Sequence, residues 1–232
     1  MAANLSKLEV VQRFFSDTGF SYDRVAALCT CGFDRHWKKK IIEKIPARPA
    51  CIIDQACGTG ILTLQIARRF PDCRVIGVEL RDEYLSLARE KARAFGISNV
   101  DFILGRAEDV MPDGGCDCIT SSYLAKYAEL ELLISNAAVM LRPGGLIIMH
   151  DFTYPSNPVF LSLWQTYFKL LRILGARIFP EWRTVFYELP EFLRQTGWIS
   201  ESAAIMKKKG LHDITVKSLT FGTAAVITAK KP

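Results

Sequence analysis

Between residues 50 and 151 the chain alternates short apolar runs with helical periodicity, a rhythm that leaves few folds open to it. The apolar runs fall at 50–54, 74–78, 100–104, 117–121 and 146–151, and amphipathic stretches occupy 61–70, 82–95 and 130–141. Repeated strand–helix units joined by short turns build a parallel sheet with helices on both faces. The strand runs are continuously apolar rather than alternating, as a sheet buried on both faces requires. Asp82 reads as an acidic cap on the second helix, and Arg142-Pro143-Gly144-Gly145 as a sharp turn ahead of the fifth strand.

The pattern changes after Asp151. Residues 152–200 hold Trp164, Trp182 and Trp198 in a long apolar-aromatic stretch without a further strand–helix–strand unit, which predicts an inserted helical lid. Residues 213–219 and 223–229 read as two strands that pair antiparallel at one sheet edge. The expected organisation is one domain over 1–232: a helical cover at 1–45, a binding core at 46–151, the lid at 152–200, and a final helix with edge strands at 201–232. Half of the residues are hydrophobic, enough for a real core, so disorder is excluded for most of the chain. The net charge of +6 falls short of a nucleic-acid-binding composition but suits an anionic ligand or a membrane surface. Seven scattered cysteines include no C-x-x-C pair, and the first twenty residues carry charges throughout without an apolar stretch. The reading is a reduced, cytoplasmic protein with no metal site and no nucleic-acid partner.

The chemistry concentrates at strand ends. Asp54-Gln55-Ala56-Cys57-Gly58-Thr59-Gly60 joins the first strand to the first helix, and its glycines let the chain turn sharply with bare backbone toward a ligand. Neither G-x-G-x-x-G nor a G-K-[ST] ending is present, so a phosphate loop is disfavoured. An acid at Asp54 suits a ligand carrying positive charge, such as an amino group. Glu79, beside Leu80 at the tip of the second strand, is placed to take both hydroxyls of a ribose; the competing reading is a helix cap. Gly105-Arg106-Ala107-Glu108 follows the third strand, where an adenine ring would lie in the same crevice.

This ordered set resembles motifs one to three of the class I S-adenosylmethionine-dependent methyltransferases. Residues 22–38, YDRVAALCTCGFDRHWK, further resemble the Y-D-x-M-N-D-x-M-S-x-G-x-H-R-x-W-K spacing of the UbiE-type ubiquinone/menaquinone C-methyltransferase family, with identities at Tyr22, Asp23, Gly32, Arg35, Trp37 and Lys38. Leu141-Arg142-Pro143-Gly144-Gly145, Asp151-Phe152-Thr153-x-Pro155, Tyr187-x-Leu189-Pro190 and Leu219-Thr220-Phe221-Gly222 are similar to its later landmarks. The resemblance covers about residues 10–230. It implies a doubly wound, mostly parallel seven-stranded α/β sheet of Rossmann-like methyltransferase type, with an antiparallel C-terminal hairpin. It also implies S-adenosyl-L-methionine as cofactor. Gly58 and Gly60 would pass under its methionine part, Thr63 would meet the carboxylate region, and Glu79 would hold the ribose. Arg106 and Ala107 would meet the adenine and Ser122 would lie near the sulfonium, with Asp54, Ala56, Leu80 and Glu108 completing the set. The chain departs from the family at Ala26 (for Asn), Asp34 (for His) and Arg106 (for Asp or Asn). Leu124-Ala125-Lys126-Tyr127 replaces an L-R-N-V segment whose Arg-Asn pair is linked to proton removal.

Methyl transfer to a quinol carbon gains from a base near the phenolic proton. Three candidates follow: His150 beside Asp151, Lys126 in place of the missing arginine, and Tyr22 against the acceptor ring oxygen. For His150 the competing reading is a buried histidine bonded to backbone, and for Tyr22 it is core packing. Residues 161–179 form a greasy stretch with Lys169 and Arg172 on its remaining face, too polar and too interrupted to span a membrane. It suits peripheral contact with a lipid surface, a lid helix packed on the core, or a homodimer face. The expected activity is C-methylation of a hydrophobic aromatic acceptor, most simply a prenylated quinol. The alternatives are O-, N- or S-methylation of another apolar metabolite, or a non-catalytic methyltransferase-like protein.

Overall fold

The computed structural model describes residues 6–232. Strands Cys51–Gln55 (β1), Arg74–Glu79 (β2), Val100–Leu104 (β3), Cys116–Ser122 (β4) and Leu141–Phe152 (β5) run parallel, and His212–Leu219 (β6) and Ala224–Lys230 (β7) complete one sheet. Its order is β3-β2-β1-β4-β5-β7-β6, with β7 antiparallel to both neighbours. Chain order reverses between β1 and β4, so the carboxyl ends of these strands flank the crevice where open α/β sheets bind ligands.

Ten α-helices lie among the described residues: Lys7–Phe15 (α1), Tyr22–Cys29 (α2), Phe33–Ile42 (α3), Ile61–Arg69 (α4), Asp82–Ala94 (α5), Leu130–Met140 (α6), Pro158–Leu170 (α7), Ala176–Ile178 (α8), Arg183–Gln195 (α9) and Trp198–Lys208 (α10). Successive strand residues point to opposite faces and so enter different cores. Ile53, Ile76 and Ile119 pack with Leu133 and Ile134 of α6, whereas Ile52, Val75 and Cys118 pack with Trp37 of α3 and Ile66 of α4. A third cluster stands above the crevice, where Phe14, Val25, Tyr127, Trp182 and Phe186 join α1 and α2 to the lid.

Several boundaries differ from the sequence reading. Asp82 is the first helical residue of α5; the capping position is Arg81, and its side chain makes no capping bond. The Arg142–Gly145 turn lies inside β5, since Leu141 already pairs with Cys116 and the Gly144 N–H donates to the Lys231 carbonyl. The lid helix starts at Pro158 under an Asn157 cap, and a π-helical turn at Leu171–Gly175 separates α7 from α8. Helix α10 crosses the 200/201 boundary. Trp198 is buried under the sheet and donates from Nε1 to the Phe152 carbonyl at 2.8 Å, so it belongs to the core rather than the lid. Among the described residues no helix is long and apolar enough to cross a membrane.

Candidate functional site

The loops after β1, β2 and β3 and the end of β4 meet at a cavity of about 400 Å³. Ala56 and Gly58 line it from the first loop, Glu79 and Leu80 from the second, Arg106, Ala107 and Glu108 from the third, and Ser122 from β4. Gly58 has φ +58°, a left-handed conformation that favours glycine, and its N–H donates to Glu79 Oε2 at 2.9 Å. Glu79 Oε1 accepts from the Arg81 N–H at 2.9 Å. The buried carboxylate therefore clamps two loops while keeping a second lone pair on each oxygen for a ligand. Burial pushes Glu79 above the usual carboxylate range against these backbone N–H groups. Arg106 is turned to Glu108 at 3.8 Å and Asp109 at 3.5 Å, and Glu108 accepts from the Glu129 N–H at 3.1 Å.

Gly60 and Thr63, two of the expected cofactor contacts, lie outside this lining. Gly60 precedes α4 at φ +83°, where a Cβ would come within 3.1 Å of Ala88, so its small size serves helix packing. Thr63 is fully buried and donates to Asp54 Oδ2 at 2.6 Å, while Thr120 donates to Asp54 Oδ1 at 2.7 Å. Asp54 itself faces a recess of about 20 Å³ below the main cavity, bounded also by Gly58, Tyr22, Ser122 and Lys38. That volume suits one water-sized or ammonium-sized group.

Burial pushes the Asp54 carboxyl up to about 6, opposed by Thr63, Thr120 and Lys38. An acid whose folded pKa exceeds its unfolded value contributes stability that is complete below the unfolded value and lost as pH rises through the folded one. Relative to Asp54→Asn, the wild-type protein is therefore expected to lose about 3 kcal/mol of stability between about pH 4 and pH 7. Urea unfolding at both pH values measures this, and a pH-independent difference would remove Asp54 as the titrating group.

A second cavity of about 380 Å³ lies against the first under the lid. Trp37, Phe152, Trp164, Phe168, Trp182 and Phe186 give it an almost wholly apolar, aromatic wall. Phe15, Tyr22, Tyr123 and Tyr127 line both cavities and so form the partition between them. Asp23 fixes α2 over the glycine loop, accepting from Thr59 Oγ1 and from Lys91 Nζ at 2.5 Å each. This holds Tyr22 at the junction, where its hydroxyl has no hydrogen-bond partner among the described residues. Burial pushes its pKa well above the usual range, so the phenol is neutral.

The other two catalytic candidates are placed differently from the sequence reading. His150 is fully buried and lines neither cavity; Nδ1 lies 3.0 Å from Ser122 Oγ, and Nε2 has no partner among the described residues. Burial, then Lys38 and Lys126, hold its pKa well below the ordinary histidine value, so it is neutral and reaches the crevice only through Ser122. Lys126 does line the apolar cavity, but its ammonium is committed to Asp151 Oδ1 at 2.6 Å and to the Tyr123 carbonyl at 2.9 Å. It is not a free base.

Sequence reasoning missed two groups of lining residues. Ser6, Lys7, Leu8 and Val11 of the N-terminal segment cover the polar cavity. Only their amphipathic spacing and the Ser6–Glu9 capping box foretell a helix there, and nothing local says where it docks. Tyr123 lines both cavities and the recess with φ +69°, a conformation no propensity assigns to tyrosine.

Comparison with known proteins gives the chain a family and agrees with its fold. The family model described as the ubiE/COQ5 methyltransferase family matches residues 3–231. The demethylmenaquinone methyltransferase of Thermus thermophilus is 30% identical over 225 residues, covering 94% of this chain and 100% of that protein. The ubiquinone/menaquinone biosynthesis C-methyltransferase UbiE of Enterobacter sp. is 29% identical, covering 97% and 91% respectively. Among solved structures, phosphoethanolamine N-methyltransferase 2 of Haemonchus contortus, in complex with S-adenosyl-L-methionine, is similar in fold with a TM-score of 0.69 at 15% identity, covering 99% of this chain and 61% of that one. An O-methyltransferase family protein from Burkholderia thailandensis has a TM-score of 0.65 at 19% identity, covering 94% and 61%.

Proposed function

The chain belongs to the ubiE/COQ5 methyltransferase family, and from that premise we propose that it transfers the methyl group of S-adenosyl-L-methionine to a ring carbon of a prenylated quinol. One observation carries this reading: a polar cavity with a carboxylate at a strand end and an aromatic, apolar cavity share a single wall at Tyr22 and Tyr123. The donor set suits the cofactor. The free lone pairs of Glu79 suit a ribose diol, the recess beside Asp54 suits the amino group, and Ala107 offers a flat apolar wall to the adenine. When bound, the cofactor supplies a methyl group activated on sulfonium. The residues of the chain orient the acceptor, exclude water and handle its proton.

The likeness to demethylmenaquinone methyltransferases supports an acceptor of demethylmenaquinone type, in its reduced quinol form. A second reading, transfer to oxygen, nitrogen or sulfur of another apolar metabolite, is favoured by the loss of the Arg-Asn pair at Ala125 and Lys126, because such transfer asks less of a base. The test is calorimetry with S-adenosyl-L-methionine, followed by mass spectrometry of a short-chain prenylated naphthohydroquinone and of apolar phenols and thiols. Methylation of the naphthohydroquinone on carbon is expected. Cofactor binding with methylation only of heteroatoms would select the second reading.

The acceptor cavity also supports a route for a lipid tail. Val159, Leu163 and Leu170 of α7 and Ile173, Leu174 and Ile178 beyond it are exposed, as is Phe221 at the cavity rim. Lys169 and Arg172 stand beside them. Peripheral contact of this face with an anionic bilayer follows as part of the proposal. Flotation with phosphatidylglycerol-containing vesicles at low salt should carry the protein upward. Failure to float, with a dimer mass in solution, would assign the face to a second copy instead.

A further inference from the structure

We propose that Tyr123 takes the acceptor's phenolic proton and passes it to Asp34. This inference rests on the quinol methyltransferase reading and supplies the base that the missing Arg-Asn pair leaves unaccounted for. The position is unusual in three ways. The Tyr123 backbone is left-handed at φ +69°, a strained state for a bulky residue that persists only where the surroundings enforce it. Its ring is held by stacking on Phe152 at 4.7 Å between centroids and by the ammonium groups of Lys38 at 4.8 Å and Lys126 at 5.5 Å. Its hydroxyl donates to Asp34 Oδ1 at 2.7 Å, and that carboxylate is paired with Lys38.

Tyr123 therefore borders the acceptor cavity on one side and reaches a fixed carboxylate on the other. A phenolic oxygen that already donates can still accept, so an acceptor O–H can bond to Tyr123 Oη while Tyr123 bonds to Asp34. The other groups facing the ring do not compete for the proton. Lys126 is committed to Asp151, the His150 ring packs on Tyr123 but hydrogen-bonds only to Ser122 among the described residues, and Tyr22 has no carboxylate partner among them. Asp34 keeps a small solvent exposure, 8% of its side chain, through which a proton can leave.

The step balances. The acceptor O–H bond breaks, its proton moves to Tyr123 Oη, and the hydroxyl proton of Tyr123 moves to Asp34. The electrons of the broken O–H bond form the ring carbonyl, and the ring carbon bonds to the methyl carbon as the methyl–sulfur bond breaks with its electron pair left on sulfur. The proton of the methylated carbon then passes through water to the ring oxygen and restores the hydroxyl, while the proton held by Asp34 leaves to solvent, so one proton is released for each methyl transferred.

Tyr123→Phe keeps the ring, its stacking and its backbone, and removes only the relay; Asp34→Asn removes the terminal acceptor and also leaves the buried Lys38 ammonium without its carboxylate, so its Tm is read beside its turnover. With the short-chain prenylated naphthohydroquinone as probe, each variant should lose about 100-fold or more in kcat, as expected for a lost general base. The double variant should lose little more than either alone. Calorimetric affinity for S-adenosyl-L-methionine should stay within about twofold, which also certifies folding. A second readout needs no cofactor. In D2O the wild-type protein should accelerate deuterium exchange at the acceptor's unsubstituted ring carbon, because phenolic deprotonation makes that carbon basic, and both variants should abolish the acceleration. Wild-type turnover with unchanged kcat in Tyr123→Phe, or exchange insensitive to either substitution, overturns the relay and leaves the methyltransferase reading standing. A wild-type protein that binds no S-adenosyl-L-methionine, or methylates no phenol, overturns both.

Discussion

Glu79→Gln is expected to weaken S-adenosyl-L-methionine binding by about 100-fold, the scale of one or two charge-assisted hydrogen bonds lost together. The carboxylate holds the Gly58 and Arg81 N–H groups at 2.9 Å each, one on each oxygen. A glutamine has one carbonyl oxygen and one NH2 in their place. It can accept from only one of the two backbone donors and leaves the other facing a second donor. The ligand thus loses an anionic partner for its diol, and the glycine loop loses half of its clamp. Glu79→Asp keeps the charge but shortens the reach, so it should bind more tightly than Glu79→Gln while still falling below wild type. Isothermal calorimetry across the three proteins checks the order. A Glu79→Gln affinity within about threefold of wild type, under 1 kcal/mol, would show that the ribose is held elsewhere.

Lys126→Met should cost about 3–5 kcal/mol of stability, because removing one member of a buried ion pair leaves the other charge uncompensated. Lys126 and Asp151 are both buried at 2.6 Å, and burial pushes the lysine pKa down and the aspartate pKa up while their mutual attraction opposes both. Asp151 also accepts from the Lys126 and Phe152 backbone N–H groups, so the pair ties the loop after β4 to the end of β5. A fall of roughly 10 °C in Tm follows for a chain of this size. Lys126→Met with Asp151→Asn should recover about half of the loss or more, since a neutral amide can still accept from those N–H groups. Scanning calorimetry of the single and double variants decides. A single variant with unchanged Tm and lost turnover would instead make Lys126 a group that acts on the acceptor.

The parts of the fold legible in the sequence were those fixed by local pattern. Five apolar runs, the paired glycines and the final pair of strands define the sheet, because burial on both faces forces continuous apolar strands and a parallel crossover forces a helix between them. That Glu79 and Ala107 line one cavity was legible for a related reason: Glu79 ends β2 and Ala107 lies in the loop just past β3, and parallel strands bring all such ends to one edge. What escaped depends on contacts distant in sequence. Thr63 turns to Asp54 rather than to the cavity, His150 lies beneath Tyr123 and Trp37, and Trp198 enters the core through a bond to Phe152. No window of the chain encodes these pairings. Tyr123 was hidden by rule as well as by distance, since φ > 0 is assigned from sequence to glycine or asparagine and not to an aromatic residue.

The four rings between the two cavities border both of them. A ring shift that admitted one guest would redraw the boundary met by the other, and filling the two sides would then be thermodynamically linked. Linkage is symmetric: whatever factor an occupied donor side adds to or takes from acceptor affinity, an occupied acceptor side applies equally to the donor. Affinities measured singly on this protein therefore describe half-filled species, and the working enzyme is characterised by the ternary constants.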